Sequence, residues 1–189
     1  MTFTILPLTA DDAEDVQALL ARSPGYTLRT RGRSVAADDG HGVLIDRPPG
    51  TAASAKTVFG LRDDSGALRG LCDVIHGWPS PETAHIGLLL VDDAAQGSGL
   101  GRLLHDSVIA QLRARGDIAQ LRAGIVGTNA DAAQGFWERL GYQPTGEEHS
   151  VSAGTIRSTT AILTRPLDPP AAPPASGTTD SPPTSGTNL

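Results

Sequence analysis

Residues 96–101, Gln-Gly-Ser-Gly-Leu-Gly, have the residue types and spacing to hold a charged ligand. Glycine permits backbone conformations that a Cβ resists, and it lets a ligand come close to the main chain. An apolar run ends at Val91 ahead of this stretch, and Leu103, Leu104 and His105 follow it, so it reads as strand, glycine-rich turn and helix start. The first N–H groups of a helix have no intrahelical partner, and the helix dipole adds partial positive charge to them. The chemistry on offer is phosphate binding. A P-loop would need Lys and Ser/Thr after its last glycine, but Gly101 is followed by Arg102 and Leu103. The dinucleotide fingerprint also fails, because Gly101 follows Gly99 one residue too early. The pattern that remains is Gln96-x-x-Gly99-x-Gly101.

Several elements must position that loop. Residues 2–8 alternate as a strand, Thr9 with Asp12 forms a helix start, and Val16, Leu19 and Leu20 share one helical face until Ser23-Pro24-Gly25. Residues 26–33 are basic, with Arg29, Arg31 and Arg33 alternating; they read as a solvated edge or loop, or else as a substrate-facing segment. Residues 34–56 are poorly patterned, with Val43-Leu44-Ile45 a short helical turn or a strand. Residues 57–62, 67–77 and 83–91 form an antiparallel meander, with a turn at residues 63–66 and a break at Trp78-Pro79-Ser80-Pro81. Residues 100–115 carry apolar residues at helical spacing, and Gly116 closes that helix. A strand lies within residues 117–127. Thr128 and Asn129 then open a helix with Ala133, Phe136, Trp137 and Leu140 on one side and Gly141 at its end. Residues 142–149 and 155–165 form a last hairpin. This order predicts an α/β (α+β) domain with a partly antiparallel sheet, not a doubly wound one.

Bulk properties exclude several classes. The 189 residues suit one domain, folded over 1–167. Residues 168–189 hold almost no large apolar side chain and are expected to be a disordered Pro/Ser/Thr-rich tail. A net charge of −6 disfavours a nucleic-acid partner. A single cysteine precludes an intrachain disulfide. With no signal-like N-terminus and no run of membrane-spanning length, the expectation is a cytoplasmic protein without a membrane partner. A homodimer is left open.

Three local features occur in a telling order. The strand running into Asp92-Asp93 precedes the glycine loop, and a later strand ends in Gly127-Thr128-Asn129. Residues 132–142 then end in Phe136-Trp137-Glu138-Arg139-Leu140-Gly141-Tyr142. Together these resemble the GNAT N-acetyltransferase superfamily over nearly all of residues 2–165. The resemblance implies a mixed central sheet of six to seven strands, flanked by helices, with a splayed cofactor cleft. It also implies acetyl transfer from acetyl-CoA, by direct attack, to an amine on a small molecule or a protein.

Under that resemblance the backbone of Leu89, Leu90 and Val91 would bond the pantetheine arm. Gln96, Gly97, Ser98, Gly99, Leu100, Gly101 and Arg102 would cradle the pyrophosphate. Asn129, Phe136 and Trp137 would meet the pantetheine and thiol end. No metal is implied. No cysteine nucleophile is needed, so Cys72 reads as a packing residue. Counting back eleven residues from Gln96 reaches His85 as general base, with Glu82, Asp73 and His76 in reserve. Strand parity sets His85 alongside Gly87, Leu89 and Val91. His76, beside the Trp78-Pro79 break, is also a candidate lining residue of the acceptor site. Trp137 stands where the family commonly has a tyrosine that protonates the leaving thiolate, and an indole N–H is no useful acid. Tyr26 is a conceivable substitute, and Tyr142 fits packing better. The other reading is a non-catalytic acyl-CoA-binding or sensor protein. The acceptor pocket falls to the first helix and residues 26–56.

Overall fold

The computed structural model describes residues 2–167, so the tail expected at 168–189 lies outside the described residues. The elements are β1 (Thr4–Pro7), α1 (Ala13–Arg22), α2 (Pro24–Arg31), α3 (Asp39–Ile45), β2 (Lys56–Arg62), β3 (Leu68–His76) and β4 (Thr83–Val91). They continue with α4 (Leu100–Arg115), β5 (Gln120–Val126), α5 (Ala130–Arg139), β6 (Gln143–Ala153) and β7 (Ile156–Pro166). One seven-stranded sheet has the order β1-β2-β3-β4-β5-β7-β6. Only the central β4/β5 pair is parallel among the described strands.

Hydrophobic burial holds helices to both faces. On one face, Phe59, Cys72, Val74 and Ile86 pack with Leu104, Val108 and Leu112 of α4 and Trp137 of α5. On the other, Val58, Leu71 and Leu90 pack with Val16, Leu19 and Leu20 of α1. Each such Leu, Ile or Val contributes about 1.5–3 kcal/mol. Gly116 ends α4 at φ 77, a left-handed conformation that glycine adopts without strain.

Two sequence readings are corrected, and one left open between a helical turn and a strand is decided. Residues 26–33 are largely helical, because Pro24 starts α2, where its missing N–H costs nothing. The element has no apolar stripe to announce it. Its buried residues are Thr27 and Thr30, and Thr30 Oγ1 donates to the Tyr26 carbonyl at 2.9 Å. Residues 43–45 close helix α3. The second correction matters most for chemistry. The β3/β4 register pairs Val74 with Ile86 but Asp73 with Leu88, leaving Gly87 as a bulge. One extra residue inverts the alternation of faces beyond it. Ile86, Leu89 and Val91 therefore face α4 and α5. His85 points to the opposite face, with Leu88 and Leu90, and does not share parity with Leu89 and Val91.

The bulge coincides with a parting of strands. Parallel pairing of β4 with β5 runs from Thr83 and Gln120 to Ile86 and Ala123, then stops. Beyond it β5 continues beside β7 as far as Val126. The edge of β4 from Gly87 onward thus opens onto a gap through the middle of the sheet.

Candidate active site

Two cavities meet at this gap. One, of about 460 Å³, is lined by Leu89, Leu90, Val91, Gln96, Gly97, Gly99, Gly101, Arg102, Asn129, Phe136 and Trp137. The other, of about 570 Å³, holds His85, Trp78, Arg122, Glu147 and His149. They share Tyr26, Leu89, Asn129, Ala133 and Trp137.

The loop is built rigidly. Asp92, buried after β4, accepts from Arg22 Nε at 2.9 Å and Arg69 Nη1 at 3.3 Å. Its other oxygen accepts from the Ala94 amide at 3.1 Å, which starts a short turn. Gln96 Nε2 donates to Asp93 Oδ1 at 2.7 Å. Gly97 and Gly99 sit at φ 77 and 87, and Gly99 is the N-cap of α4. A Cβ on Gly101 would lie 3.2 Å from the Phe136 ring, so that glycine keeps the helix close to α5. Ser98 and Leu100 are the expected loop residues that do not line the cavity. Ser98 Oγ donates back to the Ala95 carbonyl at 2.5 Å, and the Leu100 side chain turns into the core.

The catalytic candidates separate. His85 lies in the cleft, stacked edge-on against Trp78 with ring centroids 4.9 Å apart. Its Nδ1 is 3.2 Å from Arg122 Nη1. A guanidinium only donates, so Nδ1 accepts and the neutral ring carries its proton on Nε2. Burial, and then the Arg122 charge, push His85 down to about 4. Glu82 is exposed at the far end of β4, where its carbonyl accepts from the Ala119 and Gln120 amides. His76 points to the α4 side, pairs with Ala84 and bonds Thr57 Oγ1 at 3.2 Å, away from the Trp78 cavity. Asp73 is locked to Lys56 Nζ at 2.6 Å in an adjoining small cavity of about 120 Å³. None of these three lines the His85 cavity.

Two features were missed from sequence. Arg29 of α2 donates to Asn129 Oδ1 at 2.6 Å, and Thr128 Oγ1 donates to the Arg29 carbonyl at 2.5 Å, so α2 is clasped over the end of β5. Arg122 enters the cleft only because the parallel register sets it opposite His85. Spacing along the chain carries no signal for either. Tyr142 is fully buried, its hydroxyl 3.2 Å from His105 Nε2, in keeping with a packing role, while Tyr26 lies where the two cavities join. Cys72 is fully buried, and burial raises its thiol pKa further, which suits packing and not nucleophilic attack.

The buried imidazole makes stability depend on pH. His85 titrates near 4 in the fold against 6.5 in the unfolded chain, so between those values the unfolded state binds a proton that the fold refuses. Stability is therefore full above about pH 6.5 and declines toward pH 4, by at most about 2 kcal/mol between pH 7 and 5. Burial also lowers His76 and His105, so the His85 share is read by difference. Urea midpoints at the two pH values are expected to draw together in His85→Phe; an unchanged gap would refute this.

A family model described as Acetyltransferase (GNAT) family matches residues 26–142. No curated protein matches the chain. An acetyltransferase from Thermus thermophilus superposes with TM-score 0.66 at 25% identity, over 88% of this chain and 98% of its own. The ribosomal-protein-S18-alanine N-acetyltransferase from Escherichia coli shares the fold at 19% identity and TM-score 0.62, over 93% and 100% of the two chains. An N-acetyltransferase from Staphylococcus aureus Mu50 does so at 17% identity and TM-score 0.66, over 89% and 100%.

Proposed function

The chain belongs to the GNAT acetyltransferase family, and on that premise we propose that it moves the acetyl group of acetyl-CoA to an amine on a small molecule or a protein. The observation that carries this reading is the gap beginning at Gly87, with the glycine loop at one end and His85 at the other. The residues fit the cosubstrate. The free edge of β4 supplies main-chain groups at Leu89–Val91 for the amides of a pantetheine arm. The left-handed glycines and the start of α4 turn N–H groups toward a pyrophosphate. The cosubstrate puts the reaction in the cytoplasm on this reading, and no helix among the described residues is long and apolar enough to cross a membrane.

Acetyl-CoA, when bound, supplies an activated thioester: the neutral amine forms the new N–C bond, the C–S bond breaks, and the sulfur leaves with the electron pair. Counted from the ammonium form, the acceptor gives up two protons in reaching the neutral amide, one of which returns to the thiolate. His85 is the group of this chain placed to take the first, directly or through a water. Arg122 opposes that role while it remains beside an unpaired imidazole. Tyr26, at the junction of the two cavities, is assigned the acid role that Trp137 cannot fill.

Acetyl-CoA titrated calorimetrically, followed by thiol release with an amine panel, tests the reading. No binding would remove it, and binding without turnover would leave the acyl-CoA-binding alternative. Tyr26→Phe is expected to lower kcat by about 100-fold or more with the Kd for acetyl-CoA nearly unchanged. An unaltered kcat would return the acid role to water.

A further inference from the structure

His85 and Arg122 lie side by side across the β4/β5 pairing, on the sheet face turned away from α4. Arg122 is only 6% exposed, and it lines the 570 Å³ cavity. Its guanidinium lies 4.9 Å over the Trp78 ring, and Nη1 donates to His85 Nδ1 at 3.2 Å. A guanidinium has five N–H donors. Among the described residues, the one carboxylate within ion-pair reach is Glu147, 3.6 Å from Nη2. That carboxylate is half-exposed and already bonded to His149 at 2.5 Å. Burying a cation is costly unless it is well paired. An aromatic face and one bond to a neutral imidazole offset only part of that cost. A fixed cationic fork therefore faces the cavity beside His85 with most of its donors unspent.

We propose that the acceptor is a small amino-carboxylate, its carboxylate paired with the Arg122 guanidinium and its amine turned toward His85. This rests on the acetyl-transfer reading above. The fork of Arg matches a carboxylate with two parallel N–H bonds. Because Nη1 and Nδ1 are 3.2 Å apart, a carboxylate on Arg122 leaves an amine one or two carbons away within reach of the imidazole. α- and β-amino acids meet that span, whereas simple alkylamines and polyamines leave the cation unmatched. Pairing also acts on the base. It draws the Nη1–H from Nδ1 and offsets the charge that disfavours imidazolium. The groups facing the cavity are Arg122 from β5, Glu147 and His149 from β6 and Tyr26 from α2, with Asp73 and Lys56 in the adjoining small cavity. Arg122 alone of these bonds the His85 ring. A seated carboxylate thus makes His85 a stronger base at the moment it is needed.

The test compares acids with their carboxamides. Binding of N-acetylated α- and β-amino acids and of their carboxamides is measured calorimetrically with CoA present, and kcat/KM is measured for the unacetylated pairs. Wild type is expected to favour the acid forms by about tenfold or more in both. Arg122→Gln is expected to erase the preference, and Arg122→Lys to keep part of it. For an amino acid, the acid limb of kcat is expected above that of kcat/KM, since the first reports the loaded site. Equal handling of acids and carboxamides by wild type, or binding of neither, overturns the inference and needs no variant. A chain that does not bind acetyl-CoA, titrated without acceptor, overturns the transfer reading instead.

Discussion

Gly99→Val is expected to weaken acetyl-CoA binding about 100-fold or more while leaving the fold in place. Gly99 caps α4 at φ 87, and a Cβ there would meet nothing within 4 Å. The penalty is thus conformational and not steric crowding. A β-branched residue resists the left-handed region by roughly 1–2 kcal/mol, so the loop would turn out of it. Turning the loop re-aims the amides at the start of α4. Hydrogen bonds to a charged group contribute about 1.5–3 kcal/mol each, so losing two gives the stated effect. Calorimetric Kd alongside an unchanged circular dichroism spectrum would check it. A Kd within about threefold of wild type would remove the loop from the cosubstrate site.

Lys56→Met is expected to destabilise the fold by about 3–5 kcal/mol, read as a lower urea midpoint with an unchanged slope. The Lys56 and Asp73 side chains are 4% and 14% exposed and meet at 2.6 Å. Burial already raises the Asp73 pKa, with Lys56 holding it down. Deleting the cation strands a carboxylate in a low-dielectric pocket. Lys56→Met combined with Asp73→Leu is expected to recover most of the loss, because an apolar pair of similar volume removes the uncompensated charge. If the single variant matched wild type, the pair would be only a surface contact. Asp73 is thus better understood as half of an ion pair than as a reserve base.

Much of this architecture was legible because its signals are local. The strand before the loop and helix α4 have the observed bounds, since apolar spacing and a terminal glycine mark them directly. The Gln96-x-x-Gly99-x-Gly101 spacing likewise marks a left-handed glycine, Gly99, at the cap of α4. What escaped depends on contacts made across the chain. Gly87 looks like any strand residue until pairing with β3 shows it to be the extra one. Helix α2 buries threonines, so hydrophobic periodicity passes over it. Arg122 reads as an ordinary polar strand position, and only parallel register makes it the neighbour of His85. Distance along the chain placed His76 near the cleft, whereas the sheet turns it to the other face.

The bulge at Gly87 has an evolutionary consequence under the proposed reading. It hands the two faces of one sheet to two different molecules: the nucleotide-bearing partner is gripped by α4 and α5, and the variable partner is met by α2, β6 and the far face of β5. A lineage can therefore rewrite the second surface at β6 and the far face of β5, acquiring new acceptors, while the first is left as it is.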